Sequence, residues 1–250
     1  MFSEKIHRYL FLFGLFSLAF GIMMGTVPTS VPQFILLGNW IIEGGFKRKW
    51  ELLRTNKLFW IITSLFLLHV IGMAYTQDFD SGLTDIRIKM PLMFWPMLLF
   101  STKPINEKEF KLALYCFLLG SLVSTAWCLI YSYILHANDV VRNASRFMSH
   151  IRLGLYLNVA IAICFYFIWT SAKSLHKILF GILLLYFVFV LYALGLASGL
   201  VNLAIVTTFA VIIYLFKQKM HIRIISFIII SVGAFYGFNF LNSIFNSQLI

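Results

Sequence analysis

Arg142, Arg146 and His150 recur every four residues inside His136–Asn158, a polar stretch between two apolar runs that also holds Asp139 and Arg152. On an α-helix this spacing places all three on one face, with a drift of about 40° per step. Guanidinium groups offer a planar fork of donors that matches phosphate or carboxylate oxygens. Several of them beside an imidazole suit an anionic substrate such as a diphosphate or an acidic glycan. A plainer explanation stands beside that one. Asp139 precedes Arg142 by three residues and Asp85 lies close to Arg87, so the charges also fit local ion pairs on a wet surface, which contribute little to stability. His150 fits either an interface residue or a substrate contact.

The elements that must position these residues are greasy. The 250-residue chain is 61% hydrophobic and 12% charged, against roughly 25% charged in an average soluble domain. Its mean hydropathy is +0.90. Twenty-seven Phe and eleven Tyr suit lipid contact and interfacial belts. The expected fold is all-α: one polytopic transmembrane helical bundle over residues 1–250, with about nine spans and a cytoplasmic N-terminus. A span needs about 20 residues. Apolar runs fall near Tyr9–Met24, Val27–Ile42, Leu58–Thr76, Ile88–Phe100, Leu112–Leu135, Leu153–Thr170, Leu179–Ala197, Leu200–Phe216 and Ile224–Leu241. The second is short and carries Pro28, Pro32 and Gly38, which also suits a re-entrant segment. The fourth is short too, with Pro91 and Pro96 placed to kink it. The short turn after the seventh predicts an antiparallel hairpin with the eighth.

With the N-terminus inside, fifteen of the twenty Lys and Arg residues fall on the inside, and every loop obeys the positive-inside rule. The five outside are Arg87, Lys89, Arg142, Arg146 and Arg152. A re-entrant second segment would move Lys47–Lys49 outside, which favours a full span. The net charge of +11 is thereby explained by topology, with no nucleic acid as partner. Lysine predominates inside and arginine outside, and the outside arginines run against the topological trend.

Asp78, Asp80 and Asp85 are close together but lack the ligand pattern of a calcium loop. Asp78 and Asp80 read as solvated turn residues in an outside loop. Cys116, Cys128 and Cys164 lie in apolar runs at no metal-ligand spacing and read as small apolar residues. His69 and Asn158 sit at membrane depth, where polar groups face the protein interior. Phosphate-cradling glycine loops, HExxH, nucleophile elbows and CxxC are absent from the sequence.

Three stretches resemble one family. They are GMAYTQDFDSGLTDIRIKMPLMFWP (Gly72–Pro96), RNASRFMSHIRLGLYLNVAI (Arg142–Ile161) and YALGLASGLVNLAIV (Tyr192–Val206). Together they resemble the N-terminal part of the O-antigen ligase and polymerase family of bacterial membrane glycosyltransferases, in a Bacteroidetes-like form. The resemblance implies glycan transfer at the outer face of the bacterial inner membrane. The donor would be an undecaprenyl-diphosphate-linked oligosaccharide and the acceptor lipid A-core or another glycan, with membrane lipids as surroundings and no metal or other cofactor. By position it assigns Arg146 and Arg152 to diphosphate contact, with Arg142 and Arg87 next and His150 nearby. The catalytic histidine of the family follows in a large outside loop. This chain ends where that loop would begin, so the expectation is a truncated product or a shorter relative, with catalytic residues unassigned. A transporter or flippase for a lipid-linked or anionic substrate, and a non-catalytic membrane subunit, remain alternatives.

Overall fold

The computed structural model describes residues 4–132 and 147–216, without the side chains of 212 and 214–216. Among the described residues every regular element is helical: α1 (Glu4–Gly21), α2 (Thr26–Glu43), α3 (Phe46–Thr55), α4 (Lys57–Gly72, extended by a 3₁₀ turn to Tyr75), α5 (Phe79–Lys89), α6 (Pro91–Ser101), α7 (Glu107–Ile130), α8 (His150–Thr170), α9 (Ser174–Ala193) and α10 (Ala197–Phe216). Four segments are long and apolar enough to cross a membrane: Lys57–Tyr75, Glu107–Ile130, His150–Thr170 and Ser174–Ala193. Ala197–Val211 is apolar but shorter. The ninth expected span, Ile224–Leu241, lies outside the described residues.

α1 is the strut on which the bundle is laid out. Its 18 residues span about 27 Å at 1.5 Å per residue. Glycines let its neighbours close in. A Cβ on Gly120 of α7 would overlap the carbonyl oxygen of Phe20, and one on Gly14 would come within 2.7 Å of the Leu36 side chain of α2. α7 runs parallel to α1. Arg8 meets Glu109 at one end, and Ser124 Oγ donates to the Met23 carbonyl at 2.7 Å at the other. α2 returns antiparallel after a turn in which Gly25 adopts φ 101°. It is one continuous helix despite Pro32, so residues 27–42 do not form a broken, re-entrant hairpin.

α8 and α9 pack beside α7 through Leu157, Cys164, Phe167, Phe180, Phe187 and Leu191. Tyr115, Phe167 and Phe180 stack, with centroids 4.6 Å and 4.8 Å apart. Cys128 and Cys164 fill this core as small side chains. α9 and α10 are joined by only Leu194–Leu196, with Gly195 at φ 59°. α10 nevertheless leans mainly on α8 rather than on α9. A Cβ on Gly154 would stand 2.9 Å from the Gly199 Cα, so both positions must lack a side chain for this approach.

Three expected features take another form. The expected fourth span, near Ile88–Phe100, is α6 with the last residues of α5, the two helices meeting at Met90 in helical torsions (φ −49°, ψ −34°). Pro91 has no N–H to continue the ladder, so the helix breaks there. α6 alone, at 11 residues, is about 17 Å long. The expected inside loop 43–57 contains α3, and the expected outside loop 76–91 contains α5. Asp78 is the N-cap of α5, accepting from the Ser81 N–H at 3.1 Å and the Ser81 hydroxyl at 2.6 Å. It therefore starts a helix rather than sitting in an irregular turn.

Candidate functional site

α8 begins at His150 because Ser149 caps it: Ser149 is extended (φ −63°, ψ 149°) and its Oγ accepts from the Arg152 N–H at 3.5 Å. This corrects the expectation of one helical stripe through Arg142, Arg146 and His150. Residues 147–149 are not helical, so the spacing of four does not carry a common face as far as His150. Arg142 and Arg146 lie outside the described residues.

The first turn of α8 carries His150, half-buried, and Arg152, exposed. The Arg152 guanidinium makes no hydrogen bond or ion pair to any described residue. The backbone just before α8 rests on the α1–α2 turn, with the Phe147 carbonyl 3.1 Å from where a Cβ on Gly25 would be. Asn158, six residues further along α8, is about 9 Å deeper. Its amide donates to the Gly154 carbonyl at 2.8 Å and to the Gly199 carbonyl at 2.9 Å, tying α8 to α10. Asn158 thus faces the protein interior, as expected of a polar group at that depth. Its Oδ1 is buried and accepts no bond from a described residue. This end of the bundle offers an exposed guanidinium above a buried, unused acceptor.

Arg87 is exposed near the end of α5 and likewise has no described partner. Its neighbour Asp85 is held instead by Lys89 Nζ at 2.6 Å, one helical turn on. That contact keeps the Asp85 carboxyl below its ordinary range, and the Ser81 bonds do the same for Asp78. The structure does not pair Arg87 with Arg152: α5 packs on α4 and α6, and α8 on α7, α9 and α10. His69 donates from Nδ1 to the Leu65 carbonyl of its own helix at 2.7 Å and is only half-buried. Among the described residues, no three His, Cys, Asp or Glu side chains gather closely enough to hold a metal ion.

Sequence reasoning passed over a second polar centre, at the Glu4 end of α1. His7 and Asn39 are buried and pair twice, His7 Nδ1 to Asn39 Oδ1 at 2.8 Å and the Asn39 amide to the His7 carbonyl at 2.9 Å. Arg8 donates to the carbonyls of Lys103 (2.7 Å) and Pro104 (3.0 Å) and to the Glu109 carboxylate. Glu109 also closes the capping box of α7 with Asn106. Lys49 is 1% exposed. It donates to the Trp40 carbonyl at 2.7 Å, pairs with Glu43 at 2.7 Å and lies 4.6 Å from the Trp40 ring centroid. One signal was available: Asn39 interrupts the apolar run LLGNWII just as Asn158 interrupts its own.

Fold and site together define a helical protein with membrane-spanning segments and a separate polar centre near each end of α1. No family model, no curated protein and no solved structure matches the chain.

Proposed function

We propose that the chain is a multi-pass protein of the bacterial inner membrane with nine spans and a cytoplasmic N-terminus. In this proposal it takes part in O-antigen ligase- or polymerase-like glycan transfer from an undecaprenyl-diphosphate-linked donor at the outer face. α6, with the last residues of α5, makes the fourth crossing, and the rest of α5 lies at the outer surface. Arg152, Arg146 and Arg142 contact the diphosphate, with His150 beside them; Arg87, on α5, is apart from Arg152 in the fold and joins the site only if α5 faces the same anion. The acceptor hydroxyl attacks the anomeric carbon of the donor sugar, the bond from that carbon to the diphosphate oxygen breaks, the diphosphate leaves with the electron pair, and the hydroxyl proton passes to water. Guanidinium groups fixed beside that oxygen stabilise the charge it gains.

The observation that carries this proposal is the Arg152 guanidinium, exposed at the first turn of α8 with no bond to any described residue. A protein surface rarely gains from holding a cation there for its own stability. The position also suits the outer face. Arg8 and Lys49 cluster toward the Glu4 end of α1 and Arg152 lies near its other end, and α1 itself, at 18 residues, is about 27 Å long, close to the ~30 Å hydrocarbon thickness.

The test is binding of an undecaprenyl-diphosphate oligosaccharide to the purified chain, comparing wild type with Arg152→Ala and with Arg142→Ala/Arg146→Ala. Binding by wild type, weakened about tenfold or more in the variants, is expected; equal binding in all three overturns the site. Arg146→Lys should weaken binding more than Lys108→Ala does. Reporter fusions at Lys49 and Lys108 should report the cytoplasm, and fusions at Asp80 and Asn143 the opposite side. A cytoplasmic signal at Asn143 overturns the topology and the site with it.

A further inference from the structure

A cleft of about 890 Å³ opens at the Glu4 end of α1, between α1, α2, α3 and the segment joining α6 to α7. Its cations divide into two kinds. Arg8 is fixed by Glu109 and two carbonyls. Lys5, Arg48 and Lys103 come from three different elements, line the same cleft, are exposed, and make no side-chain hydrogen bond or ion pair to any described residue. Of the carboxylates in the cleft, Glu43 is held by Lys49 and Glu109 by Arg8, which leaves Glu4. The unneutralised side chains therefore carry three positive charges against one negative. Beside them the wall is apolar, with Leu12, Leu52 and Phe100.

The surroundings place this cleft at headgroup level. α3 buries Lys49 and Leu53, exposes Phe46, Trp50 and Leu52 to either side of them and turns Lys47, Glu51 and Arg54 to the opposite face, as a helix lying in a membrane interface does. Trp50 and Trp60 meet edge to face at 6.4 Å, and the Trp60 indole donates to the Arg54 carbonyl at 3.2 Å. The Trp40 indole donates to Ser101 Oγ at 2.7 Å at the rim of the cleft. Tryptophans with an apolar body and one satisfied N–H belong at the membrane–water boundary.

We propose that this cleft binds an anionic phospholipid, its phosphate held by Lys5, Arg48 and Lys103 and its glycerol and upper acyl carbons against the apolar wall. A surplus of cations converging from three elements selects the phosphate. The adjoining apolar wall, at headgroup depth, selects a lipid over a soluble anion. The site is near the opposite end of α1 from Arg152 and is independent of which substrate that end takes.

The test uses the full chain in detergent and native mass spectrometry with short-chain phosphatidylglycerol and phosphatidylcholine. Three proteins are compared: wild type, the cleft variant Lys5→Ala/Arg48→Ala/Lys103→Ala, and a charge-matched control Lys108→Ala/Lys173→Ala/Lys177→Ala at exposed lysines elsewhere. Wild type and control should prefer phosphatidylglycerol, and the cleft variant should lose that preference by about fivefold per cation removed. Arg48→Glu alone should reduce the preference further than Arg48→Ala, which keeps the proposal testable if the triple variant does not fold. Equal binding of the two lipids by wild type overturns the proposal, as does a control that falls as far as the cleft variant. Displacement of phosphatidylglycerol by millimolar inorganic phosphate assigns the cleft to a soluble anion and overturns the lipid.

Discussion

The two ends of α1 treat the same chemistry in opposite ways. Near Glu4, Arg8 is bound by three oxygens from the α6–α7 segment and α7, and Lys49 is enclosed by Glu43, the Trp40 carbonyl and two aromatic rings. Near Gly25, Arg152 stands exposed with no bond to any described residue. A charge taken out of water must be matched by partners or the fold loses stability. Arg8 and Lys49 meet that condition and so hold helices together. Arg152 is exposed, and no described residue occupies its donors. An arginine on a membrane protein therefore says little until its partners are known.

The harshest way to break the comparison is to remove the strut that separates the ends. Gly120→Ala puts a methyl group into the Phe20 backbone, and main chain cannot step aside as a flexible side chain does. The expected loss is about 3 kcal/mol of stability, measured by thermal unfolding in detergent. Gly120→Ala as stable as wild type would mean that α1 and α7 are not in contact at this point.

Next in size is Lys49. Lys49→Ala strands the Glu43 carboxylate and the Trp40 carbonyl. Because Glu43 keeps 31% of its side-chain surface exposed, the expected loss is about 2 kcal/mol, below the range for a fully buried pair. Glu43→Gln/Lys49→Met should recover part of it, since no lone charge is left behind. Lys108→Ala, at an exposed position, should stay within about 0.5 kcal/mol. If Lys49→Ala behaves like Lys108→Ala, Lys49 is a topology signal and nothing more.

The direct contrast is between two arginines. Arg8→Ala should lower stability by about 1.5 kcal/mol, because it frees Glu109 and two carbonyls at a site only partly shielded from water. Its effect on binding of a diphosphate-linked donor should be no larger than that loss of folded protein. Arg152→Ala should unfold within about 0.5 kcal/mol of wild type yet lose donor binding. The opposite pattern would reverse the roles assigned to the two ends.

Much of this molecule was legible in its sequence because hydrophobicity is a property of runs. The all-α architecture, the helix boundary at Pro91 and the inward-facing Asn158 follow from run length, proline chemistry and the cost of a polar group in hydrocarbon, whereas α6 runs unbroken through Pro96. What depends on a single cap or on a distant partner was not legible. Ser149 is an ordinary N-cap type, but the spacing of four in Arg142, Arg146 and His150 spoke louder than one serine. Likewise α3 reads as a basic loop until Lys49 and Leu53, four residues apart, are seen to bury on one face. The burial of Lys49 depends on Trp40 and Glu43 folding back across Gly44 and Gly45, both at positive φ. Nothing local in FKRKWELLRT distinguishes that lysine from its neighbour Lys47.

The smallest effect sharpens the place of Arg87. Lys89 holds Asp85 one turn away, and this exposed hydrogen bond keeps the Asp85 carboxyl below its ordinary 3.8. For a carboxylate with a lowered folded pKa, the stabilisation is complete above 3.8 and disappears as pH falls through the lowered value. A carbon-13 carboxyl titration should therefore show Asp85 titrating below 3.8 in wild type and near 3.8 in Lys89→Ala; no difference between them would mean the pair is not formed. Asp85→Asn then serves as the functional probe, because it frees the Lys89 ammonium of α5 from its carboxylate partner. If α5 faces the same anion as α8, donor binding should tighten a few-fold at neutral pH. If binding is unchanged while Arg152→Ala abolishes it, the site belongs to α8 and Arg87 is a solvent-facing charge.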